Sequence, residues 1–179
     1  MDMIGQIIGF VAIGVASIIF LFNKRGQILL LKLLTDVLWA LHHILLGNLT
    51  AGVTTAISIF REILFIKKRY TVFLIIFPVL YFGTLFFTFK NITSLIPPVA
   101  STVATVAFWN KKVKYIKLFS VVVSVLMLVY AVCNGSIATI VNELLVIATI
   151  FISLIRSKIK KYESEIHEKT DVGIETEAK

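Results

Sequence analysis

The chain predicts an all-α membrane protein of seven transmembrane helices, and three observations predict it. Seven apolar runs of roughly 15 to 20 residues follow one another, each near the length that crosses a bilayer. Basic residues cluster at every second gap between them. The layout of the first three runs also returns 87 residues later in the last three. A composition of 58% hydrophobic residues fits a membrane bundle rather than one soluble domain of 179 residues.

The runs cover about 3–22, 27–46, 51–66, 71–89, 94–108, 115–133 and 137–155. Lys24 and Arg25 fill the first gap, and the second, Gly47 to Thr50, is uncharged. Lys67, Lys68 and Arg69 fill the third; the fourth holds only Lys90. Lys111, Lys112 and Lys114 fill the fifth, and the sixth, Asn134 to Ser136, is uncharged again. Arg156, Lys158, Lys160 and Lys161 follow the last run. Basic residues at membrane ends stay cytoplasmic. One topology satisfies every gap: N-terminus outside, C-terminus inside.

The start, MDMIGQ, carries an acid where a signal peptide needs basic residues, so the first span is expected to be retained. From about Ser157 to Lys179 the mixed charge predicts a short helical extension and then a disordered cytoplasmic tail. The net charge of +8 does not point to nucleic acid, because the cations sit in short groups at span ends, where orientation and anionic headgroups account for them. The single Cys133 excludes an internal disulfide or a cysteine metal cluster.

At the offset of 87, Asn23-Lys24 aligns with Asn110-Lys111, the turn Leu46-Gly47-Asn48 with Cys133-Asn134-Gly135, and Arg69 with Arg156. Each half is then a triplet of spans, residues 1–69 and 91–156, joined by an unpartnered linker helix in 70–90. Three crossings reverse the chain's side and the fourth restores it. The triplets therefore enter the membrane in the same direction, as a parallel repeat of the kind transporters use.

His42 with Leu45-Leu46-Gly47, Ala51-Gly52, Arg61, Leu95 to Val99 with Pro97, Gly135-Ser136-Ile137 and Glu143 occur in an order that resembles the YgjV-type bacterial inner-membrane proteins, over about residues 4 to 156. These are similar, distantly, to the SWEET and PQ-loop transporter superfamily. The resemblance implies a 3+1+3 plan in a bacterial inner membrane, and an asparagine at the level of Asn142 that serves the substrate path. The superfamily's Pro-Gln pair is absent. Pro97-Pro98 stands in the fifth span, and the first span has Gly9 and Gly14 instead.

Ionisable residues inside spans are costly and often mark a pathway. Asp36, Glu62 and Glu143 are the acids within the runs. At 1.5 Å per residue, Asp36 falls near the midplane, while Arg61 and Glu62 fall within about 8 Å of the inner face. Asp36 is expected to hold a proton or a substrate counter-charge, or to pair with Lys32 four residues earlier. Glu143 and Asn142 are expected to line a site, with Arg61 a partner for Glu143 across the bundle. Thr54 and Ser58 share a face with Arg61, so Ser58 and Arg61 join the expected substrate-binding set. The competing reading has Arg61 snorkelling to the boundary. His42 is a candidate proton relay, or an interfacial hydrogen-bonding group. Pro97 and Pro98 form either a hinge or the tolerated first turn of a helix.

No nucleophile–base pair, phosphate loop or metal signature can be assembled, so neither an enzyme nor a cofactor or metal site is expected. The sequence favours a small alternating-access transporter of a polar metabolite, proton-coupled through Asp36, Glu143 or His42. Its alternative is a non-transporting receptor or assembly partner of the same fold. Expected partners are membrane lipids and an unidentified polar small molecule, with the protein a monomer or homodimer.

Overall fold

Apolar runs in lipid must satisfy their own backbone groups, and helices do so within each segment. The computed structural model describes residues 3–177, and those residues are all-helical. The elements are α1 (Met3–Ile19), α2 (Arg25–Leu45), α3 (Leu49–Lys67), α4 (Phe73–Gly83), α5 (Leu85–Thr88), a 3-10 turn (Ile92–Leu95), α6 (Ile96–Trp109), α7 (Val113–Cys133) and α8 (Ile137–Glu177). With α4 and α5 taken as one broken rod and the 3-10 turn as the start of α6, there are seven. Five are long and apolar enough to cross a membrane, and Ile7–Ile19 and Phe73–Thr88 are shorter apolar helices.

The helices close a ring. α1 packs on α2, α2 on α3, α3 on α6, α6 on α7, α7 on α8, and α8 returns to α1. α4 lies outside the ring against α6 and α3. Its outward side chains, such as Ile75 and Val79, are exposed, as are Phe86 and Phe87 of α5. They form an apolar surface suited to lipid.

Helix bounds recur at an offset of 88 residues, one more than the sequence suggests. α2 and α7 begin at Arg25 and Val113 and end at Leu45 and Cys133, and α3 and α8 begin at Leu49 and Ile137. Two local choices set this register. The turn after α2 and the turn after α7 each need one residue in the left-handed region, and glycine takes it without steric cost. That residue is Gly47 (φ +73°) in one and Gly135 (φ +65°) in the other, so Gly135 rather than Asn134 answers Gly47. Likewise Lys112, in extended conformation, precedes α7 as Lys24 precedes α2. The tandem Lys111-Lys112 hides that choice from sequence alone.

Two further features differ from or refine the sequence reading. Pro97 and Pro98 take the second and third positions of α6, in the first turn, where a missing N–H costs nothing. The irregularity therefore sits at the start of the span. α8 runs on from the last span through Glu177. Residues 178 and 179 lie outside the described residues.

Candidate functional site

At one end of the ring the core is apolar. Phe20 at the end of α1, Ile28 and Leu29 at the start of α2, Phe65 near the end of α3, Phe108 near the end of α6 and Ile116 in α7 are buried in one cluster. This is the end that carries the basic gaps. A cation at the N-terminus of α2 is unfavourable against the helix dipole, but Arg25 reaches past its own helix. Its guanidinium donates to the carbonyls of Phe65 (3.1 Å), Phe108 (2.8 Å) and Asn110 (3.2 Å). Arg69 donates to the Trp109 carbonyl at 2.6 Å and stands over the Trp109 ring.

The last four carbonyls of a helix lack intrahelical donors. In α6 all four find one. Asn110 supplies its side chain to Val106 and its backbone N–H to Ala107, Arg25 serves Phe108, and Arg69 serves Trp109. Lys117, overlooked in the sequence because it falls inside an apolar run, is buried and donates to Asn23 (2.8 Å) and Ser153 (2.6 Å). Arg25 and Lys117 thus each bridge the two halves of the chain at the same end.

Above this seal lies a cavity of about 120 Å3, room for a small solute or several waters. Helices of both halves line it in matched pairs 88 residues apart: Ala16 and Ala104, Phe20 and Phe108, Lys32 and Ser120, Asp36 and Ser124, Trp39 and Met127, Thr54 and Asn142, Thr55 and Glu143, Ser58 and Val146. The sequence candidates Asp36, Ser58, Arg61, Asn142, Glu143 and Pro97 all face this one space. Pro98 is buried beside it without lining it.

The charges on α2 and α3 are paired locally. Lys32 forms an ion pair with Asp36 one turn along α2. Arg61 does not reach the boundary and does not pair with Glu143. It is 1% exposed and its ion pair is with Glu62, at 2.5 Å. The depth estimate placed it near the surface because it measured only distance from the helix end; neighbouring helices cover it. Its other donors go to the Tyr81 hydroxyl (3.2 Å), the Ser101 carbonyl (3.1 Å) and Thr105 Oγ1 (3.3 Å), and it lies over the Phe108 ring. Ser58 shares the Tyr81 hydroxyl at 3.1 Å. Tyr81 comes from α4, outside the ring, and gave no sequence signal because the linker was read as unpartnered.

The second half contributes fewer charges. Asn142 donates to Glu143 Oε1 at 3.0 Å, and Ser124 stands beside the same carboxylate. Among the described residues, no basic side chain forms an ion pair with Glu143. Asn142 Oδ1 is buried without a partner.

The histidines divide. His42 does not line the cavity. Its Nδ1 is 2.8 Å from the Gly5 carbonyl, and a Cβ on Gly9 would stand 2.6 Å from the same ring. The bare backbone of α1 at Gly9 is what admits His42. His43 faces the cavity, its ring stacked on Trp39 at 5.6 Å between centroids. The relay candidate His42 thus lies away from the cavity, while its neighbour His43 shares the face of Lys32 and Asp36, as adjacent helical residues point apart. Trp39 lines the cavity as well.

Apolar rods ringing a cavity that holds ionisable groups define a multi-pass membrane protein with an internal site. A family model described as "Bacterial inner membrane protein", Imp-YgjV, matches residues 3–161. The chain belongs to that family of bacterial inner-membrane proteins. No curated protein and no solved structure matches it.

Proposed function

We propose that this chain is a small alternating-access transporter for a polar solute, built as two parallel three-helix bundles joined by the linker rod in a 3+1+3 plan. The supporting observation is the cavity lined by positions of both halves at a constant offset of 88 residues. A site shared equally by two repeats is where rocking of one against the other exchanges access between faces. The sealed end carries the basic gaps, so by the positive-inside rule it is cytoplasmic. The state described is then closed to the cytoplasm by the Phe20–Phe108 layer and by the Arg25 and Lys117 bridges. The junction between Leu95 and Ile96, ahead of Pro97 and Pro98, serves as the hinge. A proton taken up at Glu143 or Asp36 would couple the cycle.

Alternating access is testable without knowing the solute. In a Cys133→Ser background, Ser124→Cys places a single thiol in the cavity. Oriented vesicles treated with a membrane-impermeant thiol reagent from each side in turn should label from both sides. Labelling from one side only would favour a receptor or assembly partner with a one-sided pocket.

A further inference from the structure

Glu143 is the cavity's one carboxylate that lacks a basic partner among the described residues. We infer that it is the seat of a small ammonium-type cation, held by the Glu143 carboxylate and Asn142 Oδ1 and facing Trp39. This inference deepens the transporter reading and rests on it.

The charges beside the cavity include two ion pairs, Lys32 with Asp36 and Arg61 with Glu62. Subtracting those leaves Glu143. A carboxylate in a low-dielectric space needs a partner or a proton. Its resident contacts, the Asn142 amide and Ser124, are neutral. The amide group is committed in one direction only. Its Nδ2 donates to Glu143, while its Oδ1 is buried with no donor to accept from. Both residues line the cavity from adjacent positions of α8, one bringing a charged acceptor and the other a buried, orphaned one, and an N–H donor would serve each.

The rest of the lining agrees. Trp39 offers an aromatic face of the kind that attracts cations, and His43 stacks on it. An anionic solute would meet the uncompensated carboxylate, while the two cations that could greet it, Lys32 and Arg61, already hold carboxylates. A hard divalent metal ion wants six or more oxygen ligands, several of them charged. Among the described residues no three His, Cys, Asp or Glu side chains converge. The cavity's size limits the solute to a few heavy atoms.

The proton is the natural competitor for the same carboxylate. The titratable groups lining the space with Glu143 are Lys32, Asp36 and His43 on α2 and Arg61 on α3; α1, α6 and α7 contribute none there. Occupancy by cation or by proton, but not both, would make the site an exchanger.

The test uses the full-length protein in detergent, with ethylammonium, propionamide, propionate and sodium ion as separate probes in thermal unfolding, since a ligand of the folded state raises its apparent stability. The expected result is a rise with ethylammonium alone, larger at pH 8 than at pH 6, weakened about tenfold in apparent affinity in Glu143→Gln and kept in Glu143→Asp. Asn142→Ala should weaken it further than Ser120→Ala. A response to propionamide, propionate or sodium but not ethylammonium overturns the assignment, and so does a response that survives in Glu143→Gln or no response to any probe. Uptake of ethylammonium into proteoliposomes separates the two claims. Binding without uptake sinks the transporter reading and leaves the cation site standing. Uptake of the neutral or anionic probe without cation binding does the reverse.

Discussion

The first half of the chain sets Lys32 and Asp36 on α2 and Arg61 and Glu62 on α3. The second half, 88 residues on, sets Ser120 and Ser124 on α7 and Thr149 and Ile150 on α8. The helix bounds recur at that offset and the chemistry does not. In the first half each charge has a partner on its own helix, one turn away for Lys32 and Asp36 and next door for Arg61 and Glu62. In the second half the cavity's single carboxylate, Glu143, has only neutral neighbours, and its register mate in the first half is Thr55. The difference teaches that helices matched in length and register can differ in charge. One set carries self-neutralised pairs, and the other carries a carboxylate with neutral hydrogen-bond partners.

The largest effect should come from splitting a first-half pair. Arg61→Met leaves Glu62 buried and alone, with the Tyr81 hydroxyl and Thr105 losing their donor. Loss of one partner of a buried pair costs about 3–5 kcal/mol, read as a large fall in the unfolding midpoint. The double variant Arg61→Met/Glu62→Met should recover most of it. The register mate Thr149→Ala should cost under about 1 kcal/mol, because only a neutral hydroxyl bond to the Val146 carbonyl is lost. An equal loss in both halves would break the comparison.

Next in size is Arg25→Met, which strands the carbonyls of Phe65, Phe108 and Asn110 at the sealed end. Hydrogen bonds to a charged donor contribute about 1.5–3 kcal/mol. Beyond a lower midpoint, the variant should admit impermeant thiol reagents to Ser124→Cys from the basic face in the absence of solute. Its register mate Val113→Met should do neither. A smaller effect, about 1–3 kcal/mol of overpacking, is expected for Gly9→Ala, whose methyl meets the His42 ring. Gly14→Ala meets nothing within 4 Å and should be neutral or gain up to about 1 kcal/mol of helix propensity. The smallest, under about 1 kcal/mol, is Ser124→Ala, set against a loss of about 2 kcal/mol for its mate Asp36→Asn, which leaves Lys32 without its counter-charge. Both are read by thermal unfolding.

The helices were legible because lipid forces long apolar runs, and runs of that length leave few alternatives to a helix. The register was legible only to within one residue. Asn and Gly exchange order between the two turns, and only φ tells which of them turns the chain. The candidate site was legible where charge sits in an apolar run, hence Asp36, Arg61 and Glu143. It was illegible where a partner arrives from another element. Tyr81 reaches Arg61 from a rod the repeat leaves out, and Lys117 passed as part of an apolar stretch until Asn23 and Ser153 closed on it. Distances along one helix also could not tell that Arg61 is covered, since burial depends on what packs alongside and not on how far the end lies.

The bolts at the sealed end have an unequal inheritance. Arg25 and Arg69 fasten onto main-chain oxygens of residues 65 and 108–110, and every residue type supplies the same oxygen. Side chains on the receiving side are therefore free to drift, within what packing allows, without loosening the bond. The donors have no such freedom: no substitution on the acceptor side can compensate for a lost Arg25. In a genetic screen the contact would register as one intolerant position facing permissive ones, and covariation between the partners, the usual trace of contact, would not reveal it.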